Sequence, residues 1–277
     1  MGHDKLRKFA QNETFSCLVQ PDARELLSDG YENLRDHTIK GAWSKFFDGA
    51  QKPLVLELGC GKGEYTVELA RRHPSSNFVG VDVKGARLWR GAKTVTEEGI
   101  PNAAFLRTRV EFINAFFAPG EVSQIWLTFS DPQFKSENSR LTSPVFLAKY
   151  RKFLQSGGVV HLKTDSRFLH EYTKAVCACN GLNVRACTTD LYSMQPSAEF
   201  PAELFEVQTF YEMMFLEQGY KITYIAFEIG EGELSSPADF DSEYWRSVEG
   251  PRLLFGHDSS ETRRQKMKQS EHSVDCE

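Results

Sequence analysis

The 277-residue sequence has no apolar run approaching the ~20 residues that a membrane-spanning helix needs. Its opening stretch, Met1-Gly2-His3-Asp4-Lys5-Leu6, carries no apolar core of the kind a secretory leader has, and Leu6 stands where N-myristoylation favours Ser or Thr. No Cys-x-x-Cys pair occurs among the six cysteines, at 17, 60, 177, 179, 187 and 276. Cys177-x-Cys179 with Cys187 has poor spacing for zinc, and no histidine follows closely. The expectation is a cytoplasmic protein with reduced thiols, no metal and no membrane association. A basic excess is also missing. A net charge of -5 and a pI near 5.9 exclude a generic, uniformly basic nucleic-acid binder, though a local basic patch stays open. With 40% hydrophobic and 26% charged residues, the balance is that of one α/β domain with extensions.

What is present centres on Leu54-Val55-Leu56-Glu57-Leu58-Gly59-Cys60-Gly61-Lys62-Gly63. The apolar run reads as a buried strand, and the glycines as a tight turn into a helix that a ligand can approach closely. The dinucleotide fingerprint Gly-x-Gly-x-x-Gly fails, because Glu64 occupies its third glycine and would repel a pyrophosphate at the helix start. The phosphate loop fails too, because Gly61-Lys62 is followed by Gly63. Glu-x-Gly-x-Gly-x-Gly instead resembles the loop of S-adenosylmethionine-dependent methyltransferases. That cofactor has no phosphate and a cationic amino-acid end, which acidic neighbours suit.

Strand-like and helix-like segments alternate downstream. Strands are expected near 53–58, 77–82, 103–106, 122–129, 159–163, 182–190 and 220–227. Helices are expected near 63–72, 84–98, 112–117, 143–154, 166–178 and 203–218. Such alternation implies a mostly parallel sheet covered on both faces. Residues 1–45 form an N-terminal extension, 46–229 the domain, and 230–277 a polar tail. Ala42 to Phe47, Tyr244-Trp245 and Leu253-Leu254-Phe255 are expected to dock on the domain, and residues after His257 to be disordered. Two basic stretches stand out: Lys5-Leu6-Arg7-Lys8, and Lys84, Arg87, Arg90 and Lys93 on the second helix. The three-residue step of the latter spreads them over half the helix surface, which reads as a solvated face.

Ligands of open α/β sheets bind beyond the carboxyl ends of the strands. Acids collect there: Glu57, Asp82, Asp131 and Asp165 each follow or end a strand. Asp82 lies where an acid grips ribose hydroxyls. Pro132 biases Asp131 toward an extended conformation. Lys135 and Arg140 follow, so the acid could take base N–H groups while the cations take phosphate.

Phe129-Ser130-Asp131-Pro132-x-x-Lys135, Arg140-Leu141-Thr142, Leu162-Lys163-Thr164-Asp165 and Thr209-x-Tyr211-Glu212, in that order behind the glycine loop, resemble the tRNA (guanine-N7-)-methyltransferase family over about residues 50–228. The resemblance implies a Rossmann-like class I methyltransferase fold: α/β, with a mostly parallel seven-stranded sheet, an antiparallel last strand and helices on both faces. It implies S-adenosylmethionine as methyl donor and N7 of guanosine 46 in the tRNA variable loop as acceptor, with the enzyme a monomer or weak homodimer. By motif, Asp131 would be catalytic and also touch the cofactor. Glu57, Gly59, Gly61, Gly63, Asp82 and Asn102 would bind the cofactor. Lys135, Asp165, Thr209, Phe210, Tyr211 and Glu212 would hold substrate, with Asp131 and Glu212 accepting from the guanine edge. Three features depart from the family pattern. Gln133 and Phe134 replace Trp and Pro, Ser136-Glu137-Asn138-Ser139 replaces a His- and Arg-rich stretch, and Arg109 stands where an acid is common. A class I methyltransferase for a small molecule or protein is the alternative, and a non-catalytic binding subunit or a nicotinamide dehydrogenase fits the acids and Glu64 less well.

Overall fold

The computed structural model describes residues 3–31 and 33–249. Leu253-Leu254-Phe255 and the stretch after His257 lie outside the described residues. Central strands β2 (Leu54–Leu58) and β3 (Asn77–Asp82) are buried along their whole length. That is why they read as near-continuous apolar runs: a parallel strand covered on both faces has no solvent side to alternate against.

The other strands are β1 (Leu18–Val19), β4 (Ala103–Arg107), β5 (Val122–Thr128), β6 (Leu154–Thr164), β7 (Val184–Thr188) and β8 (Thr223–Glu228). They form one sheet in the order β1-β4-β3-β2-β5-β6-β8-β7. The antiparallel last strand is present, since β8 runs against both β6 and β7. The sheet has eight strands where seven are expected. The additional one comes from the N-terminal extension, with Leu18 and Val19 paired in parallel to Phe105 and Leu106. Two residues are too short to stand out as a strand in the sequence.

Side chains alternate between two cores. Leu54, Leu56 and Leu58 point into one, with α6 (Pro144–Tyr150) and α7 (Arg167–Cys179) packed over it. Val55 points into the other, beneath α4 (Glu64–Arg72) and α5 (Gly85–Glu98). The direction of strand order reverses at β2 and β5, and the crevice beyond their carboxyl ends is the topological place for a ligand.

The flanking segments pack on the domain. Helix α1 (His3–Asn12) lies on α5, with Asn12 Nδ2 donating to Gly85 O at 2.9 Å. Between β1 and β2 come two short helices, α2 (Ala23–Leu26) and α3 (Trp43–Phe47). Trp43 docks as expected: it is 1% exposed, stacks on Phe117 and donates to Phe116 O. The helix expected over 203–218 is broken into α8 (Glu203–Glu206) and α9 (Phe210–Glu217), because Thr209 is extended and caps α9. The 112–117 segment is a 3-10 helix, Val110–Ala115. Helix α10 (Ser242–Glu249) carries Tyr244-Trp245 onto α7, with Arg167 over the Trp245 ring. Among the described residues no helix is long and apolar enough to cross a membrane.

Candidate active site

The loop after β2 is held by backbone. Gly59 N and Cys60 N both donate to Val81 O, and Gly63 N donates to Cys60 O. Gly59, Gly61 and Gly63 all have positive φ, which a residue bearing a Cβ adopts at a cost. Their surroundings differ. A Cβ at Gly63 would stand 2.4 Å from Phe105 Cε1, whereas nothing lies within 4 Å of one at Gly59 or Gly61. Gly63 therefore serves packing, and the other two leave an open cradle.

Asp82 borders that cradle, and Glu57 lies two residues before it in β2. Asp82 accepts from Gly61 N at 3.0 Å and from Lys84 N at 2.7 Å, so it fixes the loop as well as charging it. Glu57 is buried and its carboxylate is enclosed by threonines. Thr66 gives it both its amide and its hydroxyl, and Thr128 gives a hydroxyl from β5. Burial pushes the Glu57 carboxyl up to about 7, against the opposing pull of these donors.

Asp131 lies beyond the end of β5 and is exposed. Its Oδ1 accepts from Gln133 N at 2.9 Å. Phe129 and Gln133, on either side, sit at φ 51 and φ 49. Such left-handed conformations cost about 1–3 kcal/mol each in non-glycine residues and concentrate at functional sites. Phe129 N is tied to Lys163 O, Phe134 packs on Phe168, and Arg246 of α10 donates to Phe134 O. Phe134 thus still supplies an aromatic anchor where the family motif has Trp-Pro. Lys135 is exposed in the same turn.

Asp165 is half-buried at the end of β6. The cap of α7 is Ser166, whose hydroxyl accepts from Leu169 N. Glu249 of α10 reaches the same corner, taking Ser166 Oγ at 2.5 Å and Phe168 N at 2.6 Å.

The Thr209–Glu212 segment closes the arrangement. Thr209 Oγ1 accepts from Glu212 N at 3.2 Å. Phe210 is 43% exposed, its amide donates to Glu64 Oε2, and Lys62 of the glycine loop lies 5.1 Å from its ring centroid. Tyr211 is half-buried. Glu64, the residue that argued against a pyrophosphate, here joins the helix start behind the glycine loop to α9.

Three expected placements need correction. Glu212 has no exposed surface: it pairs with Lys163 Nζ at 2.7 Å and accepts from Tyr192 OH, so it faces inward and not toward a guanine edge. Asn102 precedes β4 and so lies at the amino edge of the sheet, the far side from the ligand crevice. Its amide donates to the carbonyls of Ala70, His73 and Ser76. Arg140 is buried under the rings of Phe168 and Tyr172, at 4.7 and 4.3 Å, and burial lowers its pKa. It cannot take a phosphate there.

Sequence reasoning missed Lys163 as a linchpin. Its ammonium donates to Leu204 O at 2.7 Å and Val207 O at 3.1 Å as well as pairing with Glu212. The signal was available: a lysine inside an otherwise apolar strand needs a buried partner.

A family model described as "Putative methyltransferase" matches residues 51–225. The tRNA (guanine-N(7)-)-methyltransferase of Christiangramia forsetii is 49% identical over 228 residues, 82% of this chain and 98% of that protein. The enzyme of the same name from Bacteroides fragilis is 47% identical over 86% of this chain and 90% of its own length. That from Porphyromonas gingivalis is 50% identical over 70% and 78%. The chain belongs to the tRNA (guanine-N7-)-methyltransferase family. Its sheet has the expected mostly parallel order with an antiparallel last strand, and one strand is added at the β4 edge.

Proposed function

We propose that the protein transfers a methyl group from S-adenosylmethionine to N7 of guanosine at position 46 in the variable loop of tRNA. The observation that carries the reading is the open glycine cradle bordered by Asp82, at the same sheet edge as the exposed Asp131 carboxylate. The residues fit the cofactor: the cradle has room at Gly59 and Gly61, and its acidic border suits ribose hydroxyls and a cationic amino-acid end. S-adenosylmethionine supplies an electrophilic methyl group on a sulfonium sulfur.

Guanine N7 carries a lone pair and no proton. Its attack forms the N7–C bond as the C–S bond breaks, and no proton has to leave. A general base is unnecessary, so the protein's contribution is positioning and electrostatics. The base becomes cationic, and an Asp131 carboxylate beside it would favour that charge and accept a guanine N–H. Lys135 offers a cation to a phosphate, and Asp165 faces the substrate from the next strand end. Phe210 presents an aromatic face beside the cofactor loop. Glu212 acts through Lys163, by fixing Thr209 to Tyr211, and does not touch the base.

The test is to incubate the protein and S-adenosylmethionine with an unmodified tRNA transcript and map the product by borohydride–aniline cleavage. Cleavage at position 46, absent from a transcript bearing adenosine there, is expected. Methylation at another nucleotide, or transfer only to small acceptors, overturns the reading.

A further inference from the structure

An acidic protein that handles RNA must gather its cations somewhere. They gather where α1 crosses α5. Arg7 Cζ and Lys8 Nζ each lie 5.0 Å from the Trp89 ring centroid, and Lys93 Nζ lies 5.6 Å from it. Arg107 and Lys5 flank Phe9 at 5.1 and 5.9 Å. Lys5, Arg7, Lys84, Arg87 and Arg90 are exposed. Asp4 answers Arg7 and Lys8, and Glu97 answers Lys93. The sequence suggested a solvated face for α5 alone; the fold lays a second basic helix against it.

The order of charge along α5 is the second observation. Lys84 is the N-cap, Arg87 and Arg90 follow, and the first turn holds no acid. Glu97 and Glu98 close the helix, and the last turn holds no base. A helix dipole favours acids at its start and cations at its end. This helix has the reverse, so its charges are not arranged for its own stability. The cationic end is also the end at the site: Lys84 N bonds Asp82, and Asn12 bonds Gly85 O. The Trp89 indole N–H is already given to Gln11, and its face is clothed with cations, so the ridge suits phosphates and not stacked bases.

We propose that the ridge made by α1 and the first turns of α5 is the surface that carries the tRNA body by its phosphates, outside the guanosine site. This rests on the tRNA reading above. Contacts of this kind set register and affinity but carry no sequence information.

The probe is full-length protein with Arg87→Glu and Arg90→Glu, assayed for binding of unmodified tRNA by fluorescence anisotropy across a salt series. A double substitution at Lys152 and Lys174 to Glu, with the same change in net charge, is the control. The ridge variant is expected to lose tenfold or more in tRNA affinity. Its log–log salt slope should flatten by about 1.5, two phosphate contacts' worth. Its affinity for S-adenosylmethionine should be unchanged, its kcat at saturating tRNA should stay within twofold, and its Tm should be equal or higher. The Tm expectation has the opposite sign from damage to the fold. Wild-type tRNA affinity in the ridge variant overturns the proposal, as does an equal loss in the control. Loss of binding to phosphatidylserine vesicles with tRNA affinity intact also overturns it and assigns the ridge to a membrane. Because binding is read without methyl transfer, product mapping on wild-type protein judges the guanosine 46 reading separately.

Discussion

Replacing Lys163 with methionine is expected to release the Thr209–Tyr211 segment and remove a large share of the fold's stability. Neither Lys163 nor Glu212 has any exposed side-chain surface. Loss of the ammonium leaves the Glu212 carboxylate buried without its countercharge, and breaking one partner of such a pair costs about 3–5 kcal/mol. Leu204 O and Val207 O lose their donor at the same time. Against a typical domain stability of about 5–15 kcal/mol, the change is large enough to read in urea unfolding. Adding Glu212→Leu removes the stranded charge. Replacing a buried ion pair by apolar groups of similar volume is often neutral or stabilising, so the double variant should recover most of the loss. It does not recover the tether. Thr209 to Tyr211 would keep the Thr209 cap, the Phe210–Glu64 bond and the Lys62 contact with Phe210 but lose the buried ion pair, so the KM for tRNA should stay raised while affinity for S-adenosylmethionine is kept. A double variant with wild-type KM would refute the reasoning, because the pair would then serve stability only. A single variant losing under about 1 kcal/mol would refute it from the other side.

Glu57→Gln tests the buried carboxyl through pH. Folded Glu57 holds its proton up to about pH 7, whereas the unfolded chain releases it from about 4.5. Its contribution therefore destabilises progressively between those values and levels off above them, amounting to about 3 kcal/mol. Relative to wild type the variant should gain stability from pH 5 to pH 8, and parallel profiles in chemical denaturation would sink the assignment. Gly63→Ala combines a left-handed φ with a methyl 2.4 Å from the Phe105 ring, and should cost about 2–5 kcal/mol. Gly61→Ala meets no clash and should cost only about 1–2 kcal/mol while weakening S-adenosylmethionine binding in calorimetry; the reverse order of stabilities would contradict the cradle. Asp131→Asn should lower kcat about 100-fold with KM for tRNA within about threefold, and near-normal turnover would remove Asp131 from the chemistry.

The glycine loop and the strand-end acids were legible because local rules govern them. A buried apolar run ending in glycines locates a strand's carboxyl end, and that end locates the ligand crevice. The same rule, applied strictly, excludes Asn102, since a residue preceding a parallel strand lies at the opposite edge. Thr209-Phe210-Tyr211-Glu212 also carried its own signal. Ser/Thr-x-x-Glu marks a helix start, and it begins α9 here even though helical spacing seemed to continue from residue 203. The usual box returns the glutamate to the cap's own amide; Glu212 goes to Lys163 instead. No local pattern could reveal that pairing, nor the burial of Arg140 beneath Phe168 and Tyr172, because both depend on segments far apart in the chain. The basic ridge was half visible. The α5 cations were plain, but their joining with Lys5, Arg7 and Lys8 required the packing of α1 on α5.

Four acids at four strand ends looked equivalent in sequence, and the fold separates them. Glu57 is enclosed by two threonines and pushed toward neutrality. Asp82 gives its two oxygens to two backbone amides, which sets the shape of the glycine loop. Asp165 is half-buried at a corner braced from α10 by Glu249. Asp131 alone of the four is exposed, between two residues held at positive φ. A carboxylate that must meet a base arriving from solvent cannot be one that the scaffold has enclosed. On the proposed reading the methyl-transfer chemistry would fall to Asp131, with Asp82 setting the shape of the glycine loop.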